Sequence, residues 1–115
     1  MAKSNKPLVW GLFAAGGTIT AFLTPIMIFV TALAVPLGIM SPEVLAYDRI
    51  HAVLDHWFWK LVIFAVISLS LWHVAHRLRI TAHDFGLRSD ALVAAVVYLL
   101  ATLGTIASVV YLLRI

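Results

Sequence analysis

LWHVAHRLRITAHD (Leu71–Asp84) begins inside an apolar run and ends among polar side chains, holding three of the chain's five histidines. His73, His76 and His83 share this window with Arg77 and Arg79. Upstream of it, from about Trp57 to Leu78, lies a membrane-length apolar segment whose Lys60 and Arg77 sit where long side chains can snorkel to the interface. Downstream, Ser89-Asp90 opens a second uncharged run, from about Ala91 to Leu113, closed by Arg114. The window therefore holds the polar end of one span and the start of the loop to the next. His83 shares the stripe of His73 and His76 only where the helix runs on past Arg79, and either polar residue of Ser89-Asp90 can serve as an N-cap.

Working outward, the rest of the chain is equally apolar. Of 115 residues, 63% are hydrophobic and 11% charged, and mean hydropathy is +1.06. A soluble domain carries about 25% charged residues, so the chain reads as built for lipid. Leu8 to Leu37 forms a first long stretch, with no charge between Lys6 and Glu43, well beyond the ~20 residues needed to cross hydrocarbon. Its basic start and Ala32-Leu33-Ala34 imitate a signal peptide, but the run far exceeds an h-region of about 7–15 residues. Pro25 lacks the N–H that would bond four residues back and should kink this helix; Pro36-Leu37-Gly38 should end it. The expected fold is an all-α membrane protein, a single anchor domain over residues 1–115 with three transmembrane helices at about 8–37, 57–78 and 91–113. Gly16-Gly17 suits close helix approach or local bending, and Ala101, Gly104, Ala107 and Ser108 form a small-residue stripe for packing in lipid.

The formal charge of +3 belongs to loop lysines and arginines that orient the chain, and no nucleic-acid partner is expected. Lys3 and Lys6 precede the first span, and Arg77, Arg79 and Arg88 separate the second and third. The loop between the first two spans carries Glu43, Asp48 and Asp55 against Arg49. By the positive-inside rule the N-terminus and the His/Arg loop face the cytoplasm, and the C-terminus faces outward. Trp10 and His76–Arg77 then lie at the same membrane face.

The absence of cysteine excludes disulfides, thiolate nucleophiles and Cys-ligated metal. No Asp or Glu lies inside a span, which argues against a proton-coupled small multidrug transporter. His51 and His56 read as solvated loop residues, Tyr98 and Tyr111 as packing or interface residues, and Trp57 and Trp59 as an aromatic belt. His83-Asp84 reads as a helix-end feature. His73 and His76, three apart, project from one helix face, and three functions compete with plain interface anchoring. Haem needs axial ligands on facing helices, but the first and third spans hold no histidine, so haem would need a partner subunit. Zinc wants three or four converging ligands, and no metal site is expected. A quinone site needs donors for its two ring oxygens, a proton carrier and a flat apolar wall. His76 can donate, accept and titrate, Arg77 offers a fixed fork of donors, and Trp10 an indole N–H and a flat face.

PLVWGLFAAGG (7–17), TPIMIFVTALAVPLGI (24–39), LAYDRIHA (45–52) and LWHVAHRLRITAHDF (71–85) together resemble the D-subunit family of the heterotetrameric fumarate reductases, the small hydrophobic anchors. The resemblance runs from Pro7 to Asp84; the third span matches only as an apolar helix. It implies a non-catalytic anchor in a bacterial cytoplasmic (inner) membrane, serving anaerobic respiration. Its expected partners are a flavoprotein that reduces fumarate, an iron–sulfur subunit and the second anchor, or C-subunit, besides the lipid bilayer. It further implies a menaquinone site shared among subunits, to which Trp10, His76 and Arg77 would contribute here. His73 stands where well-known members carry cysteine, and with His83 it is a candidate proton relay. A haem-bearing succinate dehydrogenase anchor and a purely structural anchor are the alternatives.

Overall fold

The computed structural model describes residues 4–115; Lys3, one of the charges that orient the first span, lies outside the described residues. Helix α1 (Lys6–Ile28) has Pro7 in its first turn, where a missing N–H costs nothing. Pro25 lies inside it, and past Ile28 the chain widens into a π-helical stretch, Phe29–Ala34. The wider register shows in Val35 N–H donating to Val30 O at 3.1 Å. A proline that deletes one bond of the ladder and a π stretch just beyond it are recognised sources of helix bending. Gly38, at φ +73°, ends the element, a conformation that glycine adopts without Cβ strain.

The loop that follows is more ordered than its polar sequence implies. A short 3₁₀ turn (Pro42–Leu45) leads into α2 (Tyr47–Leu54). His51, expected to be solvated, is half-buried on α2 with its ring 5.4 Å from that of Tyr47. His56 is exposed as expected but also has a task. It is the N-cap of α3 (Trp57–Asp84), its Nδ1 accepting from Phe58 N–H at 3.2 Å.

Helix α3 continues past the apolar span to Asp84, so His73, His76 and His83 all lie on one helix. Gly86 stops it, with φ +86°. Gly86 N–H donates to His83 O at 2.9 Å and Leu87 N–H to Ala82 O at 3.0 Å, the paired closure of a Schellman motif. Helix α4 (Asp90–Arg114) starts where expected, but neither Ser89 nor Asp90 caps it with a side chain. The Asp90 carboxylate is engaged instead by Arg79.

All three long helices are long and apolar enough to cross a membrane. Helix α3 is central, packed on α1 along one side and α4 along the other. The α1–α3 contact depends on glycine: a Cβ on Gly16 would lie 2.3 Å from the Leu69 carbonyl oxygen. Beside it Thr20 Oγ1 lies 2.8 Å from Ser70 Oγ and also donates to Gly16 O. Such small and hydroxyl residues are what bring helices together where burial from water supplies no drive. On α4, Ala101 is buried and Gly104 receives the Leu71 side chain, while Ala107 faces outward.

The chain has almost no core of its own. Among the described residues the buried hydrophobic side chains are Ala34, Ala75, Ala101 and Leu112. Phe22, Leu92 and Leu113 are among many large apolar groups left exposed. A surface of that kind is stable only against hydrocarbon or another protein. Replacing Gly16 by Ala should force α1 off α3, costing about 1–3 kcal/mol as an overpacked contact does. Gly11, with open space where its Cβ would stand, should accept Ala without loss. Thermal unfolding of the two variants in detergent or bilayer checks this.

Candidate functional site

A cleft of about 550 Å³ opens between the first turns of α1 and the middle of α3, with Tyr98 of α4 also in its lining. Trp10 and Phe13 come from α1, Trp72, His73 and His76 from α3, and Tyr98 from α4. Its walls are aromatic and aliphatic, with a few polar groups converging on it, the usual make-up of a small-molecule site. Trp10 and His76, expected at one membrane face, are brought together here. Their rings stand edge to face, with centroids 6.1 Å apart and planes at 86°. Trp10 is 58% exposed, so one face of the cleft is open in the isolated chain.

His73 is fixed more firmly than a residue free in the interface would be. Its ring stacks on Phe13, centroids 4.3 Å apart at 20°, and its Nδ1 lies 3.0 Å from the Phe13 carbonyl oxygen. That carbonyl belongs to an α-helix, where the side chain four residues on ordinarily leans back over it. Here that position is Gly17, and a Cβ on Gly17 would lie 2.5 Å from His73 Cε1. The Gly16-Gly17 pair thus has two uses: Gly16 admits the α3 backbone, and Gly17 admits an imidazole to the α1 backbone. A carbonyl can only accept, so His73 Nδ1 carries the hydrogen.

His76 reaches both neighbouring helices. It meets Phe13 edge-on at 4.9 Å, and its Nδ1 lies 3.0 Å from the Tyr98 hydroxyl. Tyr98 also stacks on Trp72, centroids 5.8 Å apart. Nothing in the local sequence around Tyr98 marks it as more than a packing residue. The signal lay in the hairpin: His76 and Tyr98 are placed symmetrically about Leu87, so an antiparallel pair turning there sets them level. Ser68 Oγ is a further polar group on the cleft, buried and without a hydrogen-bond partner among the described residues.

Arg79 and Asp90 form the second feature missed in sequence. Arg79 Nε donates to Asp90 Oδ1 at 2.8 Å and Nη2 to Oδ2 at 2.5 Å. The planar fork matches the carboxylate and ties the start of α4 to α3 one turn beyond His76. Both side chains keep solvent access, 35% and 46% exposed, so the pair serves geometry more than stability. Arg77 and His83 lie outside the cleft lining. Both are exposed, His83 at the polar end of α3 with Asp84, the helix-end position expected. Among the described residues no three His, Cys, Asp or Glu side chains converge on a metal-sized site.

An all-helical chain with three membrane-length helices and an aromatic, histidine-lined cleft is a polytopic membrane protein of the small-anchor type. The family model for the fumarate reductase D-subunit matches residues 1–113, and the chain belongs to that family. It is 37% identical over 113 residues to the fumarate reductase D-subunit of Aliivibrio fischeri (strain MJ11), covering 98% of this chain and 94% of that one. It is 40% identical over 82 residues to proteins of the same name from Photobacterium profundum and Mannheimia succiniciproducens, covering 71% of this chain and 68% of each relative. The family match takes in the third span, where the sequence motifs offered only an apolar helix.

Replacing Arg79 by Ala or Asp90 by Ala should free the α3–α4 turn, and the double variant should be no worse than either single one. Amide hydrogen exchange across residues 85–93 checks it: faster exchange in each variant, with no further gain when both are changed.

Proposed function

We propose that this chain is the small membrane anchor of a quinol:fumarate reductase, non-catalytic alone, and that its cleft forms part of a menaquinol site. The observation that carries the reading is the cleft itself, which sets Trp10 against His76 between α1 and α3. Its shape suits a flat bicyclic ring, and the unpartnered Ser68 hydroxyl and the two imidazoles suit ring oxygens. The exposed apolar surface of the helices supports docking to the second anchor, the C-subunit, and to lipid. In this reading the flavoprotein and iron–sulfur subunits sit over the face where Trp10 and the His/Arg turn meet the cytoplasm.

Quinol oxidation delivers two electrons and two protons. In the proposed complex the electrons leave through the iron–sulfur subunit, and this chain's side chains hold the ring and handle protons. Trp10 gives the ring a flat wall, His76 hydrogen-bonds a ring oxygen and exchanges a proton, and His73 and His83 continue a proton route along α3. Arg77 is exposed and outside the cleft lining; in this reading its fork acts at the junction with a partner subunit, holding negative charge as it develops. The incomplete cleft, open at Trp10, agrees with a pocket whose other walls belong to other subunits.

Replacing His76 by Gln or Arg77 by Gln should lower menaquinol-driven fumarate reduction by about 10- to 100-fold, the range of a lost hydrogen bond to a charged or reacting group. Fumarate reduction driven by a soluble artificial donor should persist in both. Unchanged quinol-driven rates in both variants would rule the pocket out.

Orientation has its own test, since the chain lacks cysteine. A Ser4→Cys variant should be labelled by an impermeant thiol reagent only from the cytoplasmic side, and Ser41→Cys only from outside. The opposite pattern would invert the topology and move the cleft to the wrong face.

A further inference from the structure

His73 and His76 sit one helical turn apart on α3 and both line the cleft, but their Nδ1 atoms face different kinds of partner. His73 meets the Phe13 carbonyl oxygen, which can only accept, so its neutral ring has one arrangement there. His76 meets the Tyr98 hydroxyl at 3.0 Å, a group that both donates and accepts. The tyrosine ring is held by stacking on Trp72, centroids 5.8 Å apart at 23°. That contact places the oxygen and leaves its hydrogen free to turn about the C–O bond.

The two nitrogens of a neutral imidazole are coupled: one carries the hydrogen, the other a lone pair. With Nδ1 engaged by Tyr98, Nε2 is the nitrogen His76 has left for a ligand. A site that turns quinol into quinone meets two characters at the same ring oxygen. The quinol hydroxyl has a hydrogen to give, and the quinone carbonyl can only accept one. A neutral histidine whose Nδ1 is tied to a carbonyl presents a bare Nε2, which suits the quinol alone. Tied to a hydroxyl it suits both, because the hydroxyl reverses its hydrogen as the imidazole changes tautomer.

We propose that Tyr98 is a positioning residue through which His76 recognises both redox states of the ring with one nitrogen. With quinol bound, His76 Nδ1–H donates to the Tyr98 oxygen, and Nε2 accepts from the ring hydroxyl. With quinone bound, the Tyr98 O–H donates to Nδ1, and Nε2–H donates to the ring carbonyl. The inference rests on the quinol-site reading and deepens it, and Tyr98 acts through His76.

The test uses the four-subunit complex in bilayers, with a short-chain menaquinol as substrate and the matching menaquinone as product inhibitor. Tyr98→Phe keeps the ring that stacks on Trp72 and removes the hydroxyl. It should lower kcat/KM for menaquinol by about tenfold, as for one hydrogen bond, and raise the menaquinone inhibition constant by a similar factor. Fumarate reduction from a soluble donor reports that the complex is assembled. A loss confined to one redox state means a hydroxyl fixed in one direction, and no loss in either means no positioning role; each result overturns the proposal. ¹⁵N-histidine spectra of the unaltered complex give a second readout, with the two rings assigned from His73→Gln and His76→Gln. Neutral His76 should carry its hydrogen on Nε2 with menaquinone bound and on Nδ1 with menaquinol bound, while His73 keeps Nδ1–H in both. A His76 tautomer indifferent to the redox state of the ring would also overturn the proposal. If His76→Gln leaves both constants untouched, the quinol-site reading has failed; if it weakens both and Tyr98→Phe does not, only the role of Tyr98 has.

Discussion

Helices α1 and α3 cross where neither can afford a side chain on the α1 side. A Cβ at Gly16 would press within 2.3 Å of the Leu69 carbonyl, and one at Gly17 would strike the His73 ring. Because these two positions are bare, the backbones close on each other, Thr20 reaches Ser70, and His73 reaches the Phe13 carbonyl. The rest follows from that contact. Phe13 stacks on His73 and meets His76, Trp10 is carried in from the preceding turn, and the space left over is the cleft. With three alanines and one leucine as the buried hydrophobics among the described residues, such close approach replaces the core that a soluble domain would use.

A second constraint acts from the opposite side of α3. The Arg79–Asp90 fork fixes the start of α4, and the turn at Gly86 sets its register, so that Tyr98 arrives level with His76. Helix α3 is thus read from two sides, by a backbone carbonyl of α1 and by a hydroxyl of α4. Polar groups at this depth are costly to leave alone, and each of the two histidines has a partner. The Ser68 hydroxyl, which has none among the described residues, is the cleft's spare polar group.

Much of this was legible in the sequence, for physical reasons. Apolar run length gives spans directly, so the three helices and the start of α4 were readable, as was the stop near Gly38. Gly16-Gly17 was legible as close packing, and Trp10 with His76 as neighbours, because both arguments need only depth in the membrane. What escaped depends on pairing between distant residues. His73 to Phe13 O needs the helix crossing, and Arg79 to Asp90 and His76 to Tyr98 need the hairpin register. The extension of α3 to Asp84 was masked by its polar content, which marks the end of lipid rather than of helix. Gly86 was the overlooked stop signal. Helix α2 hid in a polar segment too short for periodicity to stand out.

The central claim is that the cleft between Trp10 and His76 receives the quinol ring, and a photoreactive menaquinone analogue tests it without relying on turnover. Irradiated in membranes holding the whole complex, then mapped by peptide mass, it should label this chain on the peptides bearing Trp10 and Trp72–His76. Excess menaquinol should suppress that label. Label confined to the apolar groove around Pro25 and Leu33, or found only on other subunits, would contradict the account.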